Sequence, residues 1–207
     1  MRTRIKICGI TREQDALAAA ALGADALGFI FWRPSARYIE PERAGAIARP
    51  LPAFVTPVCV FVNPTREEVE AALACLPSAT LQFHGEEPVD FCERFNRPYI
   101  KAARARPGLD LIEYLAPYTR AAAWLIDAFD ERVYGGTGIP FDWNLLPRAL
   151  GRPWILSGGL DPENVTEAIR RLRPWGVDVS SGVESDKGVK DTAKIAPFIA
   201  GVRNADA

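Results

Sequence analysis

Three pairs of polar residues stand two apart in short apolar runs, a spacing that could do chemistry. Lys6 and Cys8 flank Ile7, Gln82 and His84 flank Phe83, and Asp178 and Ser180 flank Val179. Residues two apart on a β-strand point to the same face, so each run would carry one polar and one apolar face. Thiol, imidazole and carboxylate are groups that take up or release protons in enzymes. A second constellation is rich in small residues: Ser157-Gly-Gly-Leu160 and Ser180-Ser-Gly-Val-Glu184. Without bulky side chains, backbone N–H groups there can close on an anion. What is expected there is an enzyme active site that takes a phosphate-bearing ligand.

Those residues need a frame. Strand signals cover residues 4–8, 24–31, 56–62, 80–84, 99–102, 122–127, 154–157 and 177–180. Helical stretches lie near 12–22, 41–49, 65–76, 87–95, 108–117, 142–149, 162–173 and 191–203. Thr11 to Gln14 and Thr65 to Glu68 have capping-box spacing, and Asp161-Pro162 places an N-cap before a first-turn proline. Eight βα units in 207 residues come to about 26 residues per unit, the compact end for a (β/α)8 barrel. The pattern predicts an α/β fold, a single TIM barrel domain over 1–207, with the polar strand faces pointing inward. In such barrels the active site lies at the C-terminal strand ends, and the loops after strands seven and eight form a phosphate cradle. An open doubly wound sheet shares the alternation, but only Gly9 follows strand one, not a dinucleotide fingerprint.

Composition excludes several classes. The net charge is −1, from 25 basic and 26 acidic residues, so neither nucleic acid nor an anionic membrane surface is an expected partner. No run approaches the roughly 20 apolar residues of a membrane span. The cysteines Cys8, Cys59, Cys75 and Cys92 form no C-x-x-C pair, and His84 is the single histidine, so no metal site and no disulfide framework is expected. The expected setting is the cytoplasm, with reduced thiols and no cofactor. The oligomeric state is left open between monomer and homodimer.

Longer motifs sharpen the picture. Lys6-Ile-Cys-Gly-Ile-Thr11, Ser35-Ala-Arg-Tyr38, Val60-Phe-Val-Asn63 and Leu81-Gln-Phe-His-Gly85 are followed by Gly135-Gly-Thr-Gly138 and Phe141-Asp-Trp143. Ser157-Gly-Gly-Leu160, Asp178-Val-Ser-Ser-Gly-Val-Glu184 and Gly188-Val-Lys-Asp191 complete the series. In these motifs and their order, the chain resembles the phosphoribosylanthranilate isomerase family, TIM barrel enzymes of tryptophan biosynthesis. The resemblance implies an Amadori rearrangement of N-(5-phosphoribosyl)anthranilate to the 1-deoxyribulose 5-phosphate derivative, a small-molecule reaction without redox cofactor or metal. It assigns the base to Cys8 and the acid to Asp127, with Arg37 on the substrate's anthranilate moiety and His84 and Asp178 as further substrate contacts. The phosphate would be held by Gly158, Gly159, Ser181 and Gly182.

Elementary chemistry bears on each assignment. A strand cysteine is commonly a small buried hydrophobe, and as a base it needs a lowered pKa or a transient proton acceptor. The acid must carry its proton, so its pKa should be raised. Asp130 is an alternative acid if strand six ends later, and Asp127 could instead cap a turn. A guanidinium suits a carboxylate by bidentate pairing. Lys6 would neutralise inward carboxylates. Phe31, Trp32 and Phe141 could line an anthranilate pocket, but packing is the commoner use of such residues, and they are left out of the site. The chain departs from the family's usual residues at Ala36, Ala128 and Ile139-Pro140, all in loops. The competing possibilities are another phosphosugar-barrel isomerase and a barrel that only binds a phosphorylated ligand.

Overall fold

The computed structural model describes residues 2–106, 108–127, 146 and 150–207. Eight parallel strands close into a barrel in chain order. They are β1 (Arg4–Cys8), β2 (Ala26–Ile30), β3 (Thr56–Phe61), β4 (Thr80–Phe83), β5 (Tyr99–Arg104), β6 (Ala123–Asp127), β7 (Trp154–Ser157) and β8 (Gly176–Val179). The helices are α1 (Glu13–Leu22), α2 (Pro41–Ala48), α3 (Arg66–Cys75), α4 (Val89–Glu93), α5 (Leu111–Leu115), α6 (Val165–Leu172) and α7 (Thr192–Asp206). The expected helix at 142–149, the Gly135–Gly138 motif, Phe141 and Asp130 lie outside the described residues.

Strand alternation sorts the core into two shells. Outward residues such as Ile5, Ile7, Leu27, Phe29, Phe61, Leu81, Val177 and Val179 are buried with Ala16, Ile47, Val69, Ile169 and Phe198 of the helices. A stack of rings runs through this shell, Phe31 on Phe61 at 5.4 Å and Phe61 on Phe83 at 6.2 Å. Inside the barrel, Ile100, Ala102, Ala123, Leu125 and Ile155 form one apolar cluster, and Cys8 packs with Val58 and Val60 in another. The polar residues Lys6, Gln82 and Asp178 are also buried. They cost free energy unless paired, and their pairing is what organises the upper half of the barrel.

Local signals were met unevenly. Thr65 makes the full capping box with Glu68. Thr11 makes none: its hydroxyl donates to the Gly188 carbonyl at 2.5 Å, and α1 starts from Arg12, which pairs with Asp15 instead. Asp161 accepts from the amides of Glu163 and Asn164, capping a turn, and α6 begins only at Val165. The second strand begins at Ala26 rather than Ala24, and just before it the Asp25 carboxylate accepts from the Ile5 amide and pairs with Arg2. α4 and α5 are single turns, shorter than 87–95 and 108–117. After β8 the chain makes a short 3-10 turn and a two-stranded hairpin, β9 (Glu184–Asp186) with β10 (Val189–Lys190). Gly188, at φ +78°, provides its left-handed turn residue.

Candidate active site

The C-terminal mouth of the barrel opens on a cavity of about 340 Å³, within the range of small-molecule sites. Cys8, Arg37, His84, Asp127, Gly158, Gly159, Asp178 and Ser181 all line it. Of the residues expected from the sequence, only Gly182 stands behind the wall. A Cβ there would collide with the Leu160 carbonyl, so glycine lets the loops after β7 and β8 pack backbone on backbone. Gly158 and Gly159, at φ +91° and +64°, turn the β7 loop in a region few side chains tolerate. Trp32, left out of the site, does line the cavity, because it is carried beyond the last ring of the stack and remains 39% exposed. Phe31 packs as expected.

Cys8 ends β1 with its side chain inward. Gly28 on β2 makes the room: a Cβ there would lie 2.7 Å from the Cys8 sulfur. Burial pushes the thiol's pKa up and Asp178 adds to the rise, while Lys6 and Lys190 pull against it. The lowered value asked of a base is therefore not met in the free protein, where the thiol holds its proton. Lys6 donates to Asp178 at 2.8 Å, with both side chains about 5% exposed. Burial alone would strip the lysine, but Asp178 and Cys8 together outweigh it and raise the ammonium's pKa. Ser157 reaches the second oxygen of Asp178 at 3.5 Å.

Across the mouth, His84 Nε2 lies 3.3 Å from Asp127 Oδ2, and its Nδ1 lies 3.2 Å from the Gln82 amide nitrogen. Asp127 ends β6 in register with Arg104 of β5 and Ser157 of β7. The segment after His84 is fixed from behind. Glu87 accepts from the amides of Gly85 and Asn63 and pairs with Lys101 at 2.7 Å, the lysine fully buried.

Arg37 crosses Gly9, where a Cβ would meet its Cδ at 2.5 Å. Its Nε and Nη2 donate to the two oxygens of Glu184 at 2.8 and 2.6 Å, and Lys190 donates to Glu184 at 2.7 Å. Burial opposes charge on Glu184, yet the hydrogen bonds from Arg37 and Lys190 outweigh it and hold the carboxyl below its ordinary value. The fork that could have met a ligand carboxylate is thus occupied, leaving Nη1 and the outer edge. Glu184 and Arg104 carry no local signal of a role: their relevance appears only when the strands close.

A thiol, a carboxylate, an arginine and a glycine-lined recess thus meet on one barrel mouth. The family model described as N-(5'-phosphoribosyl)anthranilate (PRA) isomerase matches residues 5–201. The chain belongs to that family. The N-(5'-phosphoribosyl)anthranilate isomerase of Nitrosospira multiformis is 55% identical over 202 residues, covering 98% of this chain and 97% of the relative. A monomer generated from the dimeric phosphoribosylanthranilate isomerase of Thermotoga maritima superposes with TM-score 0.85 at 39% identity, covering 98% and 99% of the two chains. A phosphoribosylanthranilate isomerase in complex with reduced 1-(o-carboxyphenylamino)-1-deoxyribulose 5-phosphate gives TM-score 0.83, 39% identity and the same coverage. The chain is accordingly a phosphoribosylanthranilate isomerase of tryptophan biosynthesis on a (β/α)8 barrel.

Proposed function

We propose that the isomerisation is an Amadori rearrangement run by Cys8 and Asp127 on a substrate whose phosphate lies between the loops after β7 and β8. Asp127 donates its proton to the furanose ring oxygen as the C1–O bond breaks, and the anilinic nitrogen's lone pair forms the iminium. Cys8, which passes its own proton to solvent as the iminium forms beside it, then takes the C2 proton as the thiolate, giving the enolamine. The enolamine gains a proton at C1 and loses one from the C2 hydroxyl to become the ketone. No atom is gained or lost. The cationic iminium arising beside Cys8 favours the thiolate and acidifies C2–H at the same moment, which offsets the raised pKa of the free thiol.

The phosphate is held by the Gly158 and Gly159 turn with Ser181, and Gly182 sets the approach of the two loops. Arg37 meets the anthranilate carboxylate with Nη1, while Glu184 keeps the guanidinium's other edge. His84 and Asp178 complete the contacts, Asp178 through its pairing with Lys6. The observation that carries this reading is that Cys8, Asp127, Arg37 and the two glycines open on one cavity.

Neither metal nor redox cofactor has a part in these steps. No described helix is long and apolar enough to cross a membrane, and the four cysteines are free. We take the protein to act in the cytoplasm on a small molecule, as one domain, a monomer or a homodimer. Loss of anthranilate-adduct fluorescence on enzyme addition tests the activity. It must vanish in Cys8→Ala and Asp127→Asn, and near-wild-type turnover in either variant sinks the role given to that residue. Rescue of a tryptophan auxotroph tests the same activity in a cell.

A further inference from the structure

We infer that Gln82 is a positioning residue that holds His84 as the neutral imidazole with its proton on Nε2, facing Asp127. This rests on the assignment of Asp127 as the acid.

Gln82 sits on β4 with its side chain inside the barrel, 1% exposed, and its amide nitrogen is 3.2 Å from His84 Nδ1. An amide NH2 can only donate. Nδ1 must then present its lone pair, so the proton is on Nε2, which stands 3.3 Å from Asp127 Oδ2. Turning the amide over would exchange the unpartnered carbonyl oxygen, Gln82 Oε1, for a second buried N–H without a partner, and orphaned buried N–H groups are the rarer of the two. The donor-to-Nδ1 arrangement leaves the smaller deficit.

The same contact disfavours the Nδ1–H tautomer, because a proton on Nδ1 would point at the amide hydrogens. That matters for the acid, because the proton on Nε2 faces Asp127. Nε2–H then donates a hydrogen bond to the carboxylate that remains once the ring oxygen has been protonated. The other ionisable groups at this mouth are Arg104 on β5 beside Asp127, Cys8 and Lys6 on β1, Asp178 on β8, and Arg37. The two β1 groups and Asp178 are engaged with one another, so Gln82 is the group in contact with Nδ1.

Because His84 is the chain's one histidine, its nitrogens can be read without assignment. Long-range 15N–1H correlation spectra of the 15N-labelled enzyme at neutral pH should show Nδ1 in the unprotonated range and Nε2 in the protonated range. Gln82→Glu places an acceptor against Nδ1 and should shift the spectrum to a ring protonated at Nδ1. In that variant kcat should fall at least tenfold while KM moves less than threefold. Gln82→Met, of similar shape and without either hydrogen-bonding group, should give a spectrum averaged between the two tautomers if the Glu variant does not fold. A wild-type ring protonated on Nδ1, or a nitrogen pattern unmoved by both substitutions, overturns the inference. Full turnover in Asp127→Asn would instead remove the acid assignment and leave the wild-type nitrogen pattern as it is, so the two failures read separately.

Discussion

Arg37 and Glu184 are 147 residues apart in sequence and share a two-pronged ion pair at 2.8 and 2.6 Å that ties the loop after β2 to the segment after β8. The pair aims the guanidinium and at the same time occupies its best carboxylate-binding edge. Glu184→Gln keeps the shape and removes the charge, so Arg37 should wander. The expected outcome is a KM raised about tenfold with kcat changed less, seen in steady-state kinetics.

The same carboxyl sets an acid limit on stability. Burial opposes its charge, but Arg37 and Lys190 hold its pKa below the ordinary value. A depressed carboxyl contributes stability that is full above its unfolded value, about 4.3, and is lost as pH falls through the folded value. Urea unfolding at stepped pH should show a fall beginning in that acid window. The Gln variant should show a shallower slope there.

Cys8 has the opposite sign. Its raised pKa gives stability that is full below the unfolded thiol value, about 8.5, and lost as pH rises through the folded one. Burial is the leading cause and Asp178 adds to it. Alkylation of Cys8 by iodoacetamide, followed site by site by mass spectrometry, should therefore accelerate only in the alkaline range. The half-buried Cys75 should react well before it. Fast labelling of Cys8 at pH 7 would contradict the burial argument.

Lys101 and Glu87 are buried together beneath the turn that follows His84. Removing one partner of such a pair strands the other charge, at about 3–5 kcal/mol. Lys101→Met should cost that much in denaturant melts. Because Glu87 also accepts from the Gly85 amide, the variant should lose turnover even where it remains folded.

Gly28→Ala adds one methyl against the Cys8 sulfur, 2.7 Å away, and against the Cys8 Cα at 3.1 Å. The strand pairing Cys8↔Gly28 leaves the backbone little room to give. We expect kcat to fall by about a hundredfold, with a loss of stability of 1–3 kcal/mol typical of overpacking. Circular dichroism melts beside kinetics separate the two effects.

Much of this arrangement could be read from period-two alternation. Lys6 with Cys8 and Asp178 with Ser180 stand on the inward parity, while Ile7 and Val179 face the helices. The glycine loops announced their place because a chain turning at Gly158 and Gly159 needs residues without side chains. What stayed hidden depends on partners distant in sequence. Lys101 stands among outward residues of β5, where a lysine ordinarily reaches solvent, and only Glu87 and the rings of Tyr114 and Tyr118 explain its burial. Thr11 has the spacing of a cap, but Gly188 claimed its hydroxyl from the other end of the chain. Trp32, by contrast, continues the inward parity of Gly28 and Ile30 while Phe31 keeps the outward parity of Phe29, so the alternation separated the two although Trp32 lies one residue past the strand signal.

The barrel closes where β1 meets β8, with Lys6 opposite Asp178. A ribosome delivers β1 first and β8 after some 170 further residues, so throughout synthesis β1 has one bare edge and a lysine with no counter-ion. Such an edge is a template for unwanted pairing, and contacts this far apart in sequence form slowly. The inward lysine guards against premature closure, since a barrel that shut on any other strand would entomb an unpaired ammonium. Register at the seam is therefore checked by charge as well as by hydrogen bonds: a one-residue slip would turn Asp178 outward and leave Lys6 facing valine.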